Sequence, residues 1–328
     1  MSDAPDITPP QRRHDFLAVP AIEAQLRRAF VQGALANGWL ITGPPGVGKA
    51  TLAYRLARAL LNDGGATLDP PADCRASALV GARAHPDLFL AERLYDEKKD
   101  RHASDIAAET ARDLIHFLNH TPAMGGWRVA LIDTADDLNR NSANALLKAL
   151  EEPPPRTALF VLSAAPGRLL ATIRSRCRRI DLRPYEDDVV AAFLEREGAA
   201  EGAEARRIAV AAEGRPGFAL RLAAGDGPEA IDAVEAFFKE RDAAGLAQRL
   251  SPRSADGVWT IFQELLLRRI DRTAREFALA ADERAGAMVA LREKIGSLFA
   301  RGDAVNLDRF QMVLAAARAA AAAPPIAP

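Results

Sequence analysis

GWLITGPPGVGKAT, residues 38 to 51, runs from a short apolar stretch through a glycine-rich turn into a helix start. A phosphate-binding loop needs a glycine, four residues, then Gly-Lys followed by a hydroxyl residue. Gly43, Gly48 and Lys49 meet the first part of that pattern, with Pro44, Pro45, Gly46 and Val47 between the glycines. Glycines let backbone N–H groups approach phosphate oxygens, and the N-terminus of the following helix adds positive potential. The lysine brings charge to the outer phosphates. The next residue should be a hydroxyl that holds Mg²⁺, but it is Ala50. Thr51 comes one residue later, and one helical step turns a side chain by about 100°. The stretch therefore predicts a phosphate cradle with an incomplete metal site.

Outward from the loop, the chain alternates strands and helices. Ile22, Leu26, Phe30 and Val31 keep helical spacing before it, and Leu52, Leu56 and Leu60 keep it after. WLIT (39–42), DLFL (87–90), WRVALID (127–133), TALFVLSA (157–164) and RRIDL (178–182) read as strands, the last of them edge-like. Residues 62–84 read as an irregular surface excursion and Asp96 to Arg101 as a charged loop. Ser104 is placed to cap a helix carrying Ile106, Ala111, Leu114, Phe117 and Leu118. NRNSANALLKALEE (139–152) is a helix stopped by Pro153, and GRLLATIRSRC is a short helix or turn. Strands alternating with helices predict an α/β domain with a parallel sheet.

The pattern changes after Pro184. Residues 186–223 hold about three short helices with a GRPG break at Gly214 to Gly217. From Pro228 onward come long amphipathic helices, with Val258, Ile261, Phe262, Leu265, Leu266 and Ile270 in one stripe. The expected layout is a flexible N-terminus (1–14), a P-loop α/β domain (15–183), a small helical domain (184–226) and an all-α C-terminal domain (227–328).

Two further motifs carry chemistry. ALIDTADDLN (130–139) is an apolar strand ending in Asp133, where a Mg²⁺-facing carboxylate would stand. An ATPase then needs an adjacent carboxylate to polarise water. The adjacent residue is Thr134, whose hydroxyl is no base near neutral pH. TIRSRCRRI (172–180) carries Arg174, Arg176, Arg178 and Arg179. These suit a solvated face, a phosphate or DNA contact, or an arginine finger acting at a neighbour's site.

Bulk properties exclude several classes. With 43 basic and 44 acidic side chains, net charge gives no argument for a nucleic-acid or membrane surface. Two cysteines, Cys74 and Cys177, argue against a disulfide scaffold and fit a reducing cytoplasm. The N-terminus lacks a signal-peptide core, and no apolar run suggests a membrane span. His14, His85, His102, His116 and His120 have no partner at metal-ligand spacing; His116 and His120 read as exposed near a helix end. AAARAAAAAPPIAP reads as a helix end and a frayed tail.

GPPGVGKATLAYRLA, ALIDTADDLNRNSANALLKALEEPPPRT and IRSRC together resemble the AAA+ clamp-loader family, in its delta-prime branch. The resemblance covers about residues 14–225; the C-terminal part matches only in being helical. It implies an AAA+ fold, a helical lid at 184–226 and an oligomerisation collar at 227–328. It implies a hetero-pentameric ring with motor subunits (gamma or tau) and a clamp-opening delta subunit, serving the sliding clamp and primed DNA. It implies that Arg176, the arginine of the SRC motif, reaches the ATP site of a neighbouring motor subunit. Motor subunits keep the hydroxyl after the lysine and the glutamate after the aspartate, which here are Ala50 and Thr134. The expected subunit is non-hydrolysing and needs no cofactor, with ATP or ADP at Gly43 to Thr51 and Asp133 left open as a vestigial site. Many relatives hold zinc through four cysteines before the second strand. Only Cys74 stands here, with Ser77 at the partner position, so zinc is not expected. Arg215 precedes Pro216 and is given no phosphate role. The rival readings are an active motor ATPase, which would need Thr51 and Asp136 in the missing roles, and a DNA-binding protein using Arg174 to Arg179.

Overall fold

Five strands form one parallel sheet: β1 (Asn37–Thr42), β2 (Leu88–Glu92), β3 (Arg128–Asp133), β4 (Thr157–Ser163) and β5 (Arg178–Asp181). Their order across the sheet is β2-β3-β4-β1-β5, with β5 at an edge as RRIDL predicts. The computed structural model describes residues 7–17, 19–32, 37–62, 67–93, 95–96, 101–103, 105–239 and 243–324. Ser104, residues 97–100 of the charged loop, residues 1–6 and the last four residues of the tail lie outside the described residues. Tyr95–Asp96 and Arg101–His102 pair antiparallel as a separate two-stranded sheet.

Successive side chains on a strand point to opposite faces, so a central parallel strand must be apolar throughout. Residues Arg128 to Ile132 of β3 and all of β4 are buried. Trp39, Ile41, Val129, Leu131, Phe160 and Leu162 pack on one face. There they meet α1 (Pro20–Val31) and α2 (Lys49–Leu61) through Leu26, Leu52 and Leu56. The alternate residues Leu40, Ala130, Ile132, Leu159 and Val161 pack on the other face.

Sequence and structure part in the segment between α2 and β2. Residues 62–84 contain a helix, α3 (Arg75–Gly81), where an irregular excursion is expected. Cys74 caps it by accepting from the Ser77 amide, and Val80 is buried beneath. The expected flexible start also differs. Pro10–Arg12 makes a 3-10 turn; Gln11 O within it and Arg13 O just after it accept from Arg58. Arg58 is 2% exposed, and burial lowers its pKa to about 10. A buried guanidinium needs acceptors, and backbone carbonyls of the leading segment supply them.

α4 (Ala108–Asn119) has Ala107 at its N-cap with no side-chain cap, and Ile106 instead bridges to Leu138. α5 (Arg140–Glu151) is capped by Asn139, whose side chain accepts from Asn141 N and Ser142 N. α6 (Ala171–Arg176) ends in the arginine of the SRC motif.

The chain divides into two compact units. Asp6–Glu186 with Gly214–Phe218 makes the sheet unit; Asp187–Glu213 with Ala219–Pro328 makes the other. The second unit is helical: α7 (Asp187–Arg196), α8 (Gly202–Ala212), most of α9 (Pro216–Ala223), α10 (Gly227–Lys239), α11 (Ala243–Leu250), α12 (Asp256–Leu279), α13 (Arg284–Val305) and α14 (Arg309–Ala321). Val258, Phe262, Leu265, Leu266 and Ile270 of the stripe are buried, while Ile261 is half-buried. Trp259 packs its ring at 5.3 Å from Phe299, joining α12 to α13. No helix among the described residues is long and apolar enough to cross a membrane.

Candidate functional site

β1 sits between β4 and β5 although β2 lies at the far edge, so the chain crosses the sheet after β1. Ligands of open parallel sheets bind at such reversals, beyond the carboxyl ends of the strands. The loop from Gly43 to Gly48 occupies that place. Gly43 has φ 148°, Gly46 φ 84° and Gly48 φ 108°, conformations that side chains disfavour. A Cβ on Gly43 would lie 2.4 Å from Leu182 O, and one on Gly46 would lie 2.8 Å from Phe218 N. Gly217 N donates to Gly46 O at 2.8 Å. The start of α9 is therefore packed directly on the loop.

Lys49 Nζ donates to Gly43 O at 2.8 Å and Pro44 O at 3.1 Å. Burial pushes its pKa down, opposed by Asp133 and Asp136. Asp133 ends β3 as its one exposed residue; desolvation of the carboxyl group pushes its pKa up and Lys49 opposes this. Glu92 stands in register with Asp133 and pairs with Arg83 at 2.8 Å. Ala50 packs against the core cluster under the sheet and offers no oxygen. Thr51 is half-buried in the first turn of α2. These residues fit a phosphate cradle but lack the hydroxyl that a Mg²⁺ site requires.

The corner after Asp133 is wired into the sheet. Thr134 Oγ1 donates to Leu162 O at 2.9 Å. The Asp136 carboxylate accepts from Ser163 Oγ and Ala164 N, each at 2.6 Å, and from Ala165 N at 3.2 Å. Gly43 N donates to Ser163 O, which closes the circuit between the ends of β1 and β4. Asp136 is occupied as an acceptor, so it is not placed to replace a missing catalytic base.

The four arginines of the IRSRC region have separate surroundings. Arg176 pairs with Glu151 of α5 at 2.7 Å and donates to Thr172 O at 3.1 Å. Its side chain remains 35% exposed. Arg178 lies over the Trp39 ring and Arg179 bonds Asp181 at 2.6 Å. Arg174 is exposed. Arg215 is 1% exposed, with its guanidinium 4.6 Å from the Phe218 ring centroid. Cys74 Sγ and Ser77 Oγ lie 3.2 Å apart and bond each other, a donor set that does not suit zinc. His116 and His120 are exposed, and His85 is buried, its Nδ1 accepting from Asp87 N.

Sequence reasoning missed Glu151, Phe218 and the acceptor role of Asp136. Glu151 lies four residues past Leu147 in NRNSANALLKALEE, but nothing local tells which partner its carboxylate meets.

The family model described as DNA polymerase III, delta subunit, matches residues 19–186. DNA polymerase III subunit delta' of Pseudomonas aeruginosa is 42% identical over 142 residues, covering 43% of this chain and 42% of that protein. Subunit delta' of Escherichia coli is 34% identical over 210 residues, 64% of this chain and 61% of that protein. Subunit tau of Escherichia coli is 30% identical over 275 residues, 80% of this chain and 41% of that protein. The chain thus spans less than two thirds of the length of each of these relatives.

Proposed function

We infer a function from a plain premise: this chain belongs to the DNA polymerase III delta-subunit family of AAA+ clamp loaders. It acts as a non-hydrolysing subunit of delta-prime type in a cytoplasmic clamp-loader ring. Its neighbours are motor subunits of gamma or tau type and a delta subunit, and the ring loads the sliding clamp onto primed DNA. The division of the helical unit into a lid (184–226) and an oligomerisation collar (227–328) belongs to the same reading. It works without a cofactor of its own.

The observation that carries this reading is the corner after Asp133. The position of a motor's second carboxylate holds a hydroxyl bonded to Leu162 O, and the nearby Asp136 is occupied by Ser163, Ala164 and Ala165. Ala50 removes the metal-holding hydroxyl at the same site. What the chain contributes to ATP chemistry is Arg176, on a short helix at the surface and oriented by Glu151. A guanidinium placed at a neighbour's γ-phosphate stabilises charge in the transition state.

The test is Arg176→Ala in the reconstituted complex. The variant should fold and assemble as wild type, while DNA-stimulated ATPase falls by about tenfold or more. Wild-type ATPase and loading would sink the assignment. The tau match favours a second reading, an active motor. ATP turnover by the purified chain, abolished by Lys49→Ala, would establish that reading instead.

A further inference from the structure

Residues 11–17 of the leading segment run beside α2 toward the phosphate loop and are tied down at both ends. Gln11 O and Arg13 O accept from Arg58, which is 2% exposed. Leu17 O accepts from Tyr185 Oη at 2.8 Å. Tyr185 in turn donates its backbone N–H to Gly214 O at 2.8 Å, which joins the segment to the turn seated on the loop. Between the ties stands Phe16, half-buried and packed on the core cluster that α1 and α2 share with the sheet. A Cβ on Gly48 would lie 3.6 Å from its ring. The Arg55 guanidinium lies 5.9 Å from the ring centroid, and Arg55 is itself held by Glu23 and Asp69. Gly48 and Arg55 thus bracket the ring along the first two turns of α2. Lifting the segment would strip the buried Arg58 of its carbonyl acceptors, which opposes release.

A nucleotide has two different ends, and the loop distinguishes them. The lysine of such a loop serves the outer phosphates. Lys49 Nζ stands at the start of the loop, on Gly43 O and Pro44 O. The outer phosphates belong at that end, and the nucleoside leaves by the opposite one, past Gly48 and the start of α2. Two other sides of the loop are already packed. A Cβ on Gly43 would meet Leu182 O, and Gly46 lies against Gly217 and Phe218. Phe16 lies at the Gly48 end.

We propose that Phe16 is an autoinhibitory plug: the segment holds its ring against Gly48, so the cradle admits a bare phosphate anion and shuts out a nucleoside di- or triphosphate. The inference rests on the reading of Gly43 to Lys49 as a phosphate cradle. Ala50 and Thr134 bear on metal and water, whereas Phe16 bears on the nucleoside. Base and ribose are ring systems, and non-bonded heavy atoms keep about 3.5 Å apart. A bracketed ring at the Gly48 end and a nucleoside there exclude each other. The opposite role, a platform on which the base stacks, needs a ring face turned to the loop. The atoms nearest Gly48 are Cε2 and Cδ2, one edge of the ring, and Arg55 lies over a face.

The probe is ADP carrying a methylanthraniloyl fluorophore on its ribose, titrated against the full chain. Phe16→Ala should bind it more tightly than wild type by about tenfold or more, because the open loop is then no longer the minor state. Phe16→Trp should exclude it as wild type does. Lys49→Ala placed in the Phe16→Ala chain should abolish the gain, which locates the ligand in the cradle. Should Phe16→Ala misfold, Tyr185→Phe decides: it frees Leu17 O while keeping the ring, and it too must bind more tightly than wild type. The proposal is overturned if neither variant gains affinity. It is overturned if Phe16→Ala binds more weakly, which would make the ring a platform for the base. It is also overturned if the gain survives Lys49→Ala, or if inorganic pyrophosphate, which has no nucleoside, gains as much from Phe16→Ala. Arg176 is untouched throughout and has its own test in the reconstituted complex, so failure of the plug and failure of the proposed role are told apart.

Discussion

The phosphate cradle and the Arg176 corner are built in opposite ways. The cradle is held on every side. Gly43 bonds Ser163, Gly46 bonds Gly217, Lys49 bonds the loop's own carbonyls, and Asp136 gathers the end of β4. Arg176 is held by one carboxylate and one carbonyl on a half-exposed surface. The contrast teaches that the polar groups around a phosphate-binding loop can serve one another as structure. Under the proposed role, a group that reaches another protein is left at the surface with a replaceable partner.

If the cradle is structural, the largest effect belongs to Gly43→Ala. Its positive φ and the 2.4 Å approach to Leu182 O make about 4 kcal/mol of destabilisation the expected loss in urea unfolding. A near-neutral result would mean the loop is not tightly built. Asp136→Ala comes next. It leaves Ser163 Oγ and the Ala164 and Ala165 amides without their acceptor, for about 3 kcal/mol.

Asp133→Asn has a smaller, pH-dependent effect. Burial raises the carboxyl in the folded state, so the folded chain holds the proton more tightly than the unfolded one. Wild-type stability relative to the variant should therefore fall as pH rises from 4 to 7. A rise in wild-type stability relative to the variant over the same range would overturn burial as the dominant influence. Glu151→Ala, at the other corner, should change stability by less than about 1 kcal/mol, because the pair is solvent-exposed. If Arg176 acts as proposed, the signature in the assembled complex is a partial loss of ATPase with assembly intact. An unfolded Glu151→Ala chain would break the comparison.

Much of this was legible in the residues. Loop, strand β1 and helix α2 follow from glycine spacing and apolar period, which are local properties. So do the parallel sheet, the edge position of RRIDL and the three short helices after Pro184. The helix α3 was not legible, because its cap is a cysteine and its apolar residues are few. The ordered N-terminal turn was not, because it depends on Arg58, a residue that reads as one more charge on α2.

By itself the sequence determined the fold class and the identities of Ala50 and Thr134, the residues that follow Lys49 and Asp133 in the two motifs. Only the tertiary structure decided what surrounds these two positions. Whether Asp136 is a free carboxylate or an acceptor already filled depends on β4, nearly thirty residues away and brought beside it by the sheet. Likewise the pairing of Glu151 with Arg176 exists only once α5 and α6 are packed together. Hydrogen bonds and ion pairs are set by distance in space, and a single chain read in order records distance only along itself.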